Sequence, residues 1–476
     1  PYSGFALYKF SGFAFYTTMC RFRLQNALRK GIISAMREKL SNRLGFLMMA
    51  AGCAVGLGNV WRFPYIVGKN GGAAFVLVYF AFLLLLGFPL LTSELANGRA
   101  ARRCVTESLA LLAPEKTKRF WHKMGFLIAA GCFVLMIYYT DVAGWLVKYT
   151  ADYATNTAPA KDFPAAFGGL LANKALCAKY MLGVVAFSTV ICLLGVVRGV
   201  ERVTKWMMIS LLVLLGALVV RAVTLPGAAE GLDFYLRPDW GRFMEHPVQA
   251  AFDAMGQAFF TLSLGVGAMT ICGSYIGKEH SLAKESIWII VIDTFVAFMA
   301  GLVIFPACSA YGVAYTQGPG LIFVALPEVF ARMTGGVVWG AIFFLFLAFA
   351  ALTTIIAVIE SLIAGLMDSL NWSRVKAAAL VGPAIALCAL PCVLWDGVLD
   401  WEDFAVSQVW LPLGSLVMGL FAVNSKWGWG WENFRREVST GAGWGLPDWF
   451  RWHYTIVIPI LVLVIFVMGI YQKFAS

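Results

Sequence analysis

Long uncharged runs such as Phe75 to Thr92 and Leu211 to Val220 leave this chain very few architectures. Backbone NH and carbonyl groups inside hydrocarbon must find partners within the protein, so a lipid-solvated chain is either helical or a closed barrel. A spanning helix takes about 20 apolar residues. The sequence predicts eleven such helices, over 44–67, 73–97, 123–150, 179–197, 205–224, 249–276, 287–314, 338–368, 375–395, 402–424 and 452–472. Barrel strands would instead read as alternating segments of about ten residues, and these runs are continuously apolar. An all-α integral membrane protein is therefore expected. Hydrophobic residues make up 60% of the 476 and charged ones 13%, against roughly half and a quarter in soluble domains, which excludes an ordinary soluble enzyme.

The formal charge of +11 is spread over loops rather than gathered on one module, so it bears on topology and not on nucleic acid. Most Lys and Arg fall in the N-terminal stretch and in the loops after the even-numbered helices, which predicts a cytoplasmic N-terminus and an external C-terminus. The purely acidic loop with Asp396, Asp400, Glu402 and Asp403 then lies outside. Ten Cys show no CxxC pair and four His no HExxH, so redox and zinc motifs are missing. Residues 1–35 are expected to be an N-terminal extension, disordered or of cloning origin, ahead of a start at Met36. Segments 151–178, 225–248 and 315–335 are long enough to cap an outer face.

Two of the predicted helices carry residues that lipid disfavours. The first contains Ala51-Gly52-Cys53-Ala54-Val55-Gly56-Leu57-Gly58-Asn59-Val60-Trp61-Arg62-Phe63-Pro64. Close helix packing accounts for Gly52 and Gly56, a GxxxG pattern, but not for Asn59 or Arg62. An unwound segment facing a polar cavity accounts for all of them, because irregular backbone at membrane depth survives only where it lines such a cavity. The sixth repeats the anomaly in Gln257-Ala258-Phe259-Phe260-Thr261-Leu262-Ser263-Leu264-Gly265-Val266-Gly267. The second interruption comes five helices after the first, so each five-helix half opens on a broken helix and the halves enter the membrane in opposite senses. That pattern predicts an inverted repeat with a binding site at the midplane.

These residues resemble the signature of the neurotransmitter:sodium symporters. The likeness continues through Asn70-Gly71-Gly72, Glu94, Tyr138-Tyr139, Gly199-Val200-Glu201-Arg202, the sixth helix and Leu352-Thr353-Thr354. It covers nearly all of 36–424, and eleven rather than twelve helices is similar to a bacterial branch of the family. The resemblance implies a five-plus-five inverted-repeat fold with helices 1 and 6 unwound. The transporter core would then be 36–424, with a first repeat over 44–224 and an inverted second over 249–424, followed by a cytoplasmic loop and eleventh helix in 425–476.

Residue by residue, the resemblance places a first sodium on the Ala54 carbonyl, the Asn59 side chain, Thr261 and Asp293. It places a second on carbonyls of Gly52, Val55 and Ala350 with the hydroxyls of Thr353 and Thr354. Oxygen donors suit a hard cation stripped of water. Many relatives carry Asn where Asp293 stands, and several balance two cations with chloride or with a Glu at the place Ala297 holds. Hence Asp293 is expected to be ionised, to ligate sodium, and to make chloride unnecessary; a protonated Asp293 bonded between helices is the alternative. A substrate carboxylate would meet the NH groups of Leu57 and Gly58 and the Tyr139 hydroxyl, in keeping with the pull of a half-helix N-terminus on anions. An ammonium would meet carbonyls of Ala54, Phe260 and Thr261 and the Ser263 hydroxyl. Gly56 stands where amine-carrying relatives place Asp, which argues for a whole amino acid. The side-chain pocket would be Leu135, Tyr139, Phe260, Val266, Thr354 and Val358, apolar apart from two hydroxyls, so a charged side chain would lose its hydration there.

Arg62 and Asp403 match the family's external gate pair, and Arg37, Tyr275 and Asp368 its cytoplasmic one; fixed helix-end charges are the alternative. Phe260 and Tyr139 would form an aromatic lid. Relatives often place Pro ten residues after Gly199, where this chain has Ile209, so helix 5 is expected to stay hydrogen-bonded there. The chain is thus expected to be a sodium-coupled symporter of the bacterial inner membrane. It would import hydrophobic amino acids, with aromatic ones ahead of leucine, using two sodium ions and no chloride, with the lipid bilayer as its other partner and a monomer sufficient. Its rivals are a proton-coupled carrier titrating Asp293 or Glu94, and a non-concentrating channel or binding protein of the same fold. No nucleophile, base and orienting group stand together, which speaks against an intramembrane enzyme.

Overall fold

The computed structural model describes residues 40–159, 161–314 and 320–475. The expected extension over 1–35, and Arg37, lie outside the described residues. Within them the chain is helix and connecting turn, with no strand beyond one isolated bridge between His280 and Ala442.

Among the described residues nine uninterrupted helices are long and apolar enough to cross a membrane, one bent pair of half-length helices makes a tenth crossing, and a second such pair, Pro247–Thr261 with Ala268–Tyr275, stands at the sixth place. In chain order these are span 1 (Arg43–Ala54 with Gly58–Lys69), span 2 (Ala73–Ala101), span 3 (Lys118–Ala154), span 4 (Lys174–Leu193) and span 5 (Val196–Val223). Span 6 is Pro247–Thr261 with Ala268–Tyr275. There follow span 7 (Leu282–Tyr311), span 8 (Gly336–Leu370), span 9 (Arg374–Leu394), span 10 (Val398–Val423) and span 11 (Phe450–Phe474). They occupy the eleven places that the apolar runs mark. Several helices run past those runs, because helical hydrogen bonding continues beyond the hydrocarbon that the hydropathy records. Span 5 passes unbroken through Ile209.

Span 8 is enclosed over 83% of its most apolar stretch and span 11 over 28%, so span 8 is central and span 11 faces lipid along most of its length. The three long connections carry short helices, Phe163–Ala172, Ala228–Leu236, Trp240–Glu245 and, across two segments, Leu321–Ala325 and Leu326–Arg332. Between spans 10 and 11, helix Trp431–Val438 delivers Glu437 to the fully buried Arg99 of span 2. Arg99 donates to the Glu437 carboxylate at 2.7 Å, to the His280 carbonyl at 2.7 Å and to the Glu437 carbonyl. A buried guanidinium requires such paired acceptors, and here they tie the connection before span 7 and the one after span 10 to the end of span 2.

Both interruptions follow from local residue chemistry. Span 1 bends by 56° between its halves. Val55 leaves the helix at ψ 108° and the chain resumes at Gly58 in a π-helical turn, with Pro64 in the first turn of the α-helix that follows. In span 6 the helix ends at Thr261, and Ser263 (φ +51°), Gly265 (φ +84°) and Gly267 (φ +78°) take left-handed conformations before Ala268 restarts it. Glycine adopts that region without a Cβ penalty. At Gly265 a Cβ would collide with the Leu411 carbonyl of span 10, so this glycine is required by contact as well as by φ.

Candidate functional site

Breaking two helices at membrane depth frees backbone groups, and each needs a partner. The structure pairs them across the two breaks. The Cys53 carbonyl accepts from Ser263 Oγ at 3.2 Å, and the Gly58 carbonyl from Gln257 Nε2 at 2.8 Å. Gly265 NH, in the span 6 break, donates to Glu94 Oε1 of span 2 at 2.6 Å. Glu94 thereby supplies an acceptor that the interrupted helix lacks.

Two clusters of oxygen atoms stand at the break in span 1. In one, the Thr354 hydroxyl lies 3.3 Å from the Gly52 carbonyl, 3.1 Å from that of Val55 and 3.3 Å from that of Ala350. The Thr353 hydroxyl donates to the Phe349 and Ala350 carbonyls of its own helix, both at 3.0 Å. All five residues expected around a second sodium are therefore neighbours, and every donor is a neutral oxygen.

In the other cluster Asp293 is fully buried and accepts from Thr261 Oγ1 at 2.8 Å and from Asn59 Nδ2 at 2.8 Å. Asn59 Nδ2 also reaches Thr261 Oγ1 and the Asp293 carbonyl at 3.1 Å, while Asn59 Oδ1 accepts from Gly56 NH at 3.0 Å. A cation among these groups meets the Asp293 and Thr261 oxygens directly; it meets the Asn59 oxygen only once the amide turns over. Ala297, one turn beyond Asp293, is buried and offers no charge.

At the breaks lies a small cavity of about 20 Å³ lined by Ala54, Gly56, Gly58, Leu135, Tyr139, Phe260, Ser263, Thr354 and Leu411. It is the size of roughly one water. Above it a cavity of about 320 Å³ is lined by Arg62, Tyr138, Asp403 and others, with Leu57, Tyr139 and Phe260 in its floor. Tyr139 and Phe260 line both cavities, so their rings form the partition between them. Tyr139 Oη accepts from Leu57 NH at 2.9 Å, and the Arg62 guanidinium stands 4.6 Å over the Phe260 ring. A larger ligand enters the lower cavity only when these rings move.

The expected pocket residues Val266 and Val358 are fully buried and do not line either cavity. Leu411 of span 10 lines the lower one and was not foreseen. Arg62 and Asp403 face the same upper cavity, where Asp403 accepts from Ser407 Oγ at 2.9 Å. At the opposite end Tyr275 Oη donates to Glu360 at 2.7 Å, and Glu360 also takes Arg374 at 2.6 and 3.0 Å. Asp368 accepts from Arg103 at 3.1 Å and from Cys104 NH at 2.7 Å. Tyr275 thus reaches the Glu360–Arg374 pair, and Asp368 pairs with Arg103. Glu360 and Arg374 carried no signal in the sequence, because residues fourteen apart on adjoining spans show no periodicity.

Comparison with known proteins adds four likenesses. The family model described as the sodium:neurotransmitter symporter family matches residues 37–167 and 170–475. An uncharacterized sodium-dependent transporter, YhdH of Bacillus subtilis, is 33% identical over 90% of this chain and 96% of its own. The sodium-dependent serotonin transporter of Drosophila melanogaster is 30% identical over 91% of this chain and 76% of its own. Among solved structures, MhsT in complex with L-phenylalanine superposes with a TM-score of 0.80 at 37% identity, over 91% of this chain and all of that one.

Proposed function

We propose, because the chain belongs to the sodium:neurotransmitter symporter family, that it carries hydrophobic amino acids, aromatic ones foremost, together with two sodium ions and without chloride. As a member of that family it is a multi-pass membrane protein and a sodium-dependent secondary transporter, not an enzyme, with the family's inverted-repeat fold. One observation supports the proposal, two clusters of oxygen atoms at the helix breaks with a small cavity lined by residues of both breaks and by Thr354.

In this reading the Asp293 cluster holds the first sodium and the Thr354 cluster the second. The substrate carboxylate lies against Leu57 and Gly58 NH, the Tyr139 hydroxyl and the first ion. Ion and substrate then stabilise the same arrangement, so their affinities rise together. Each sodium moving down 100 mV contributes about 2.3 kcal/mol to accumulation. The aliphatic and aromatic lining suits an apolar side chain, and the bound L-phenylalanine of MhsT supports that class. Arg62 and Asp403 act as the outer gate and Tyr275 and Asp368 belong to the inner one. Residues 36–424 form the core, and the N-terminus faces the cytoplasm of a bacterial cell.

Purified protein in proteoliposomes is expected to accumulate labelled L-phenylalanine or L-leucine on an inward sodium gradient, and to do so unchanged when gluconate replaces chloride. Uptake that vanishes in gluconate would remove the assigned role of Asp293. Uptake that ignores sodium but follows a pH step would establish proton coupling instead.

A further inference from the structure

Leu411 reaches the lower cavity through an irregularity that hydropathy does not reveal. Span 10 is α-helical over Val398–Phe404, π-helical over Ala405–Trp410 and α-helical again from Leu411. A π-turn inserts one residue, which rotates everything after it by roughly 100° relative to a continuous α-helix, and such turns recur at functional sites.

Contacts on both sides fix that rotation. Trp410 points toward span 3: its Nε1 donates to the Leu127 carbonyl of that span at 3.0 Å, and a Cβ on Gly131 would collide with its indole ring. The next residue, Leu411, is 2% exposed and forms part of the wall of the lower cavity. Its carbonyl abuts Gly265 in the span 6 break, and a Cβ at Gly414 would collide with the Gly265 carbonyl. Spans 10 and 6 therefore touch backbone to backbone, and no side chain stands between Leu411 and the cavity. The large aliphatic residues lining the cavity are Leu135 and Leu411.

We propose that Leu411, turned inward by the π-helical segment of span 10, sets the largest amino-acid side chain that the pocket accepts. This rests on the amino-acid reading of the site. Shortening Leu411 lengthens the cavity toward span 10, and enlarging it closes that end. One methylene in an apolar pocket changes discrimination by about 10- to 200-fold.

The test is displacement of tritiated L-leucine from purified protein in saturating sodium by unlabelled alanine, leucine, phenylalanine and tryptophan, with melting in sodium recorded as the check on folding. In Leu411→Ala the tryptophan-to-leucine ratio of inhibition constants is expected to fall at least tenfold. In Leu411→Phe, read with tritiated L-alanine, the tryptophan-to-alanine and phenylalanine-to-alanine ratios of inhibition constants are expected to rise at least tenfold. Leu411→Val gives the first shift in smaller measure should Leu411→Ala melt early. Selectivity ratios equal to wild type in the folded variants overturn the proposal. A wild type that binds none of the four amino acids in sodium overturns the underlying reading itself, whatever the variants do.

Discussion

Replacing Asp293 by Asn is expected to raise the sodium concentration needed for half-maximal substrate binding by about two to three orders of magnitude. Asp293 is fully buried, and its hydrogen-bond partners at 2.8 Å, Asn59 and Thr261, are neutral. A carboxylate taken out of water without a cation is strongly disfavoured. Sodium is the partner that makes its ionised form tenable, and removing one member of a buried charge pair costs about 3–5 kcal/mol. At about 1.4 kcal/mol per decade the affinity change follows. The isosteric amide preserves volume, so folding is expected to survive. A protonated Asp293 that merely joins two helices would be replaced by Asn with little loss. An unchanged sodium dependence in Asp293→Asn would therefore decide for that alternative.

Gly56→Ala is expected to weaken substrate binding by tenfold or more and to weaken sodium binding with it. A methyl there would stand 2.5 Å from Tyr139 Oη and 2.9 Å from Thr354 Oγ1. The first atom holds Leu57 NH at the break; the second is the hub of the Thr354 cluster. Overpacking of this kind costs about 1–3 kcal/mol, and here it falls on two groups assigned to ligands rather than on inert core. Gly216, with open space around its Cβ position, serves as the control: Gly216→Ala is expected to leave both affinities unchanged. Equal affinities for wild type and Gly56→Ala, measured by equilibrium binding, would contradict the placement of the site at the span 1 break.

The spans were legible because hydrocarbon thickness imposes a length on apolar runs, and no tertiary contact is needed to read it. The two breaks were legible for a related reason. Gly, Asn, Arg and Ser are costly in lipid, so Gly56, Asn59 and Ser263 mark themselves. Assigning Asp293, Thr353 and Thr354 to ions, by contrast, needed the family resemblance, since three oxygen-bearing side chains on two spans carry no spacing rule.

What the sequence hid is rotation and long-range pairing. The π-helical segments at Gly58–Arg62, Leu83–Gly87 and Ala405–Trp410 leave hydropathy unchanged while turning every later side chain. That is why Leu411 was missed. Val266, between two glycines with positive φ, is fully buried and lines neither cavity. Arg99, Glu437 and the helix that joins them were also hidden, because a buried arginine at the end of an apolar run reads in sequence as an ordinary loop charge.

Isotopic sodium binding to purified protein, with L-phenylalanine or L-leucine present, is the most direct test of the claim that cations lodge at the two breaks. Two ions per chain are expected for the wild type, and one each for Asp293→Asn and for Thr354→Val at concentrations that saturate the wild type. A wild type that binds no sodium, or a pair of folded variants that both keep the full count, would contradict it.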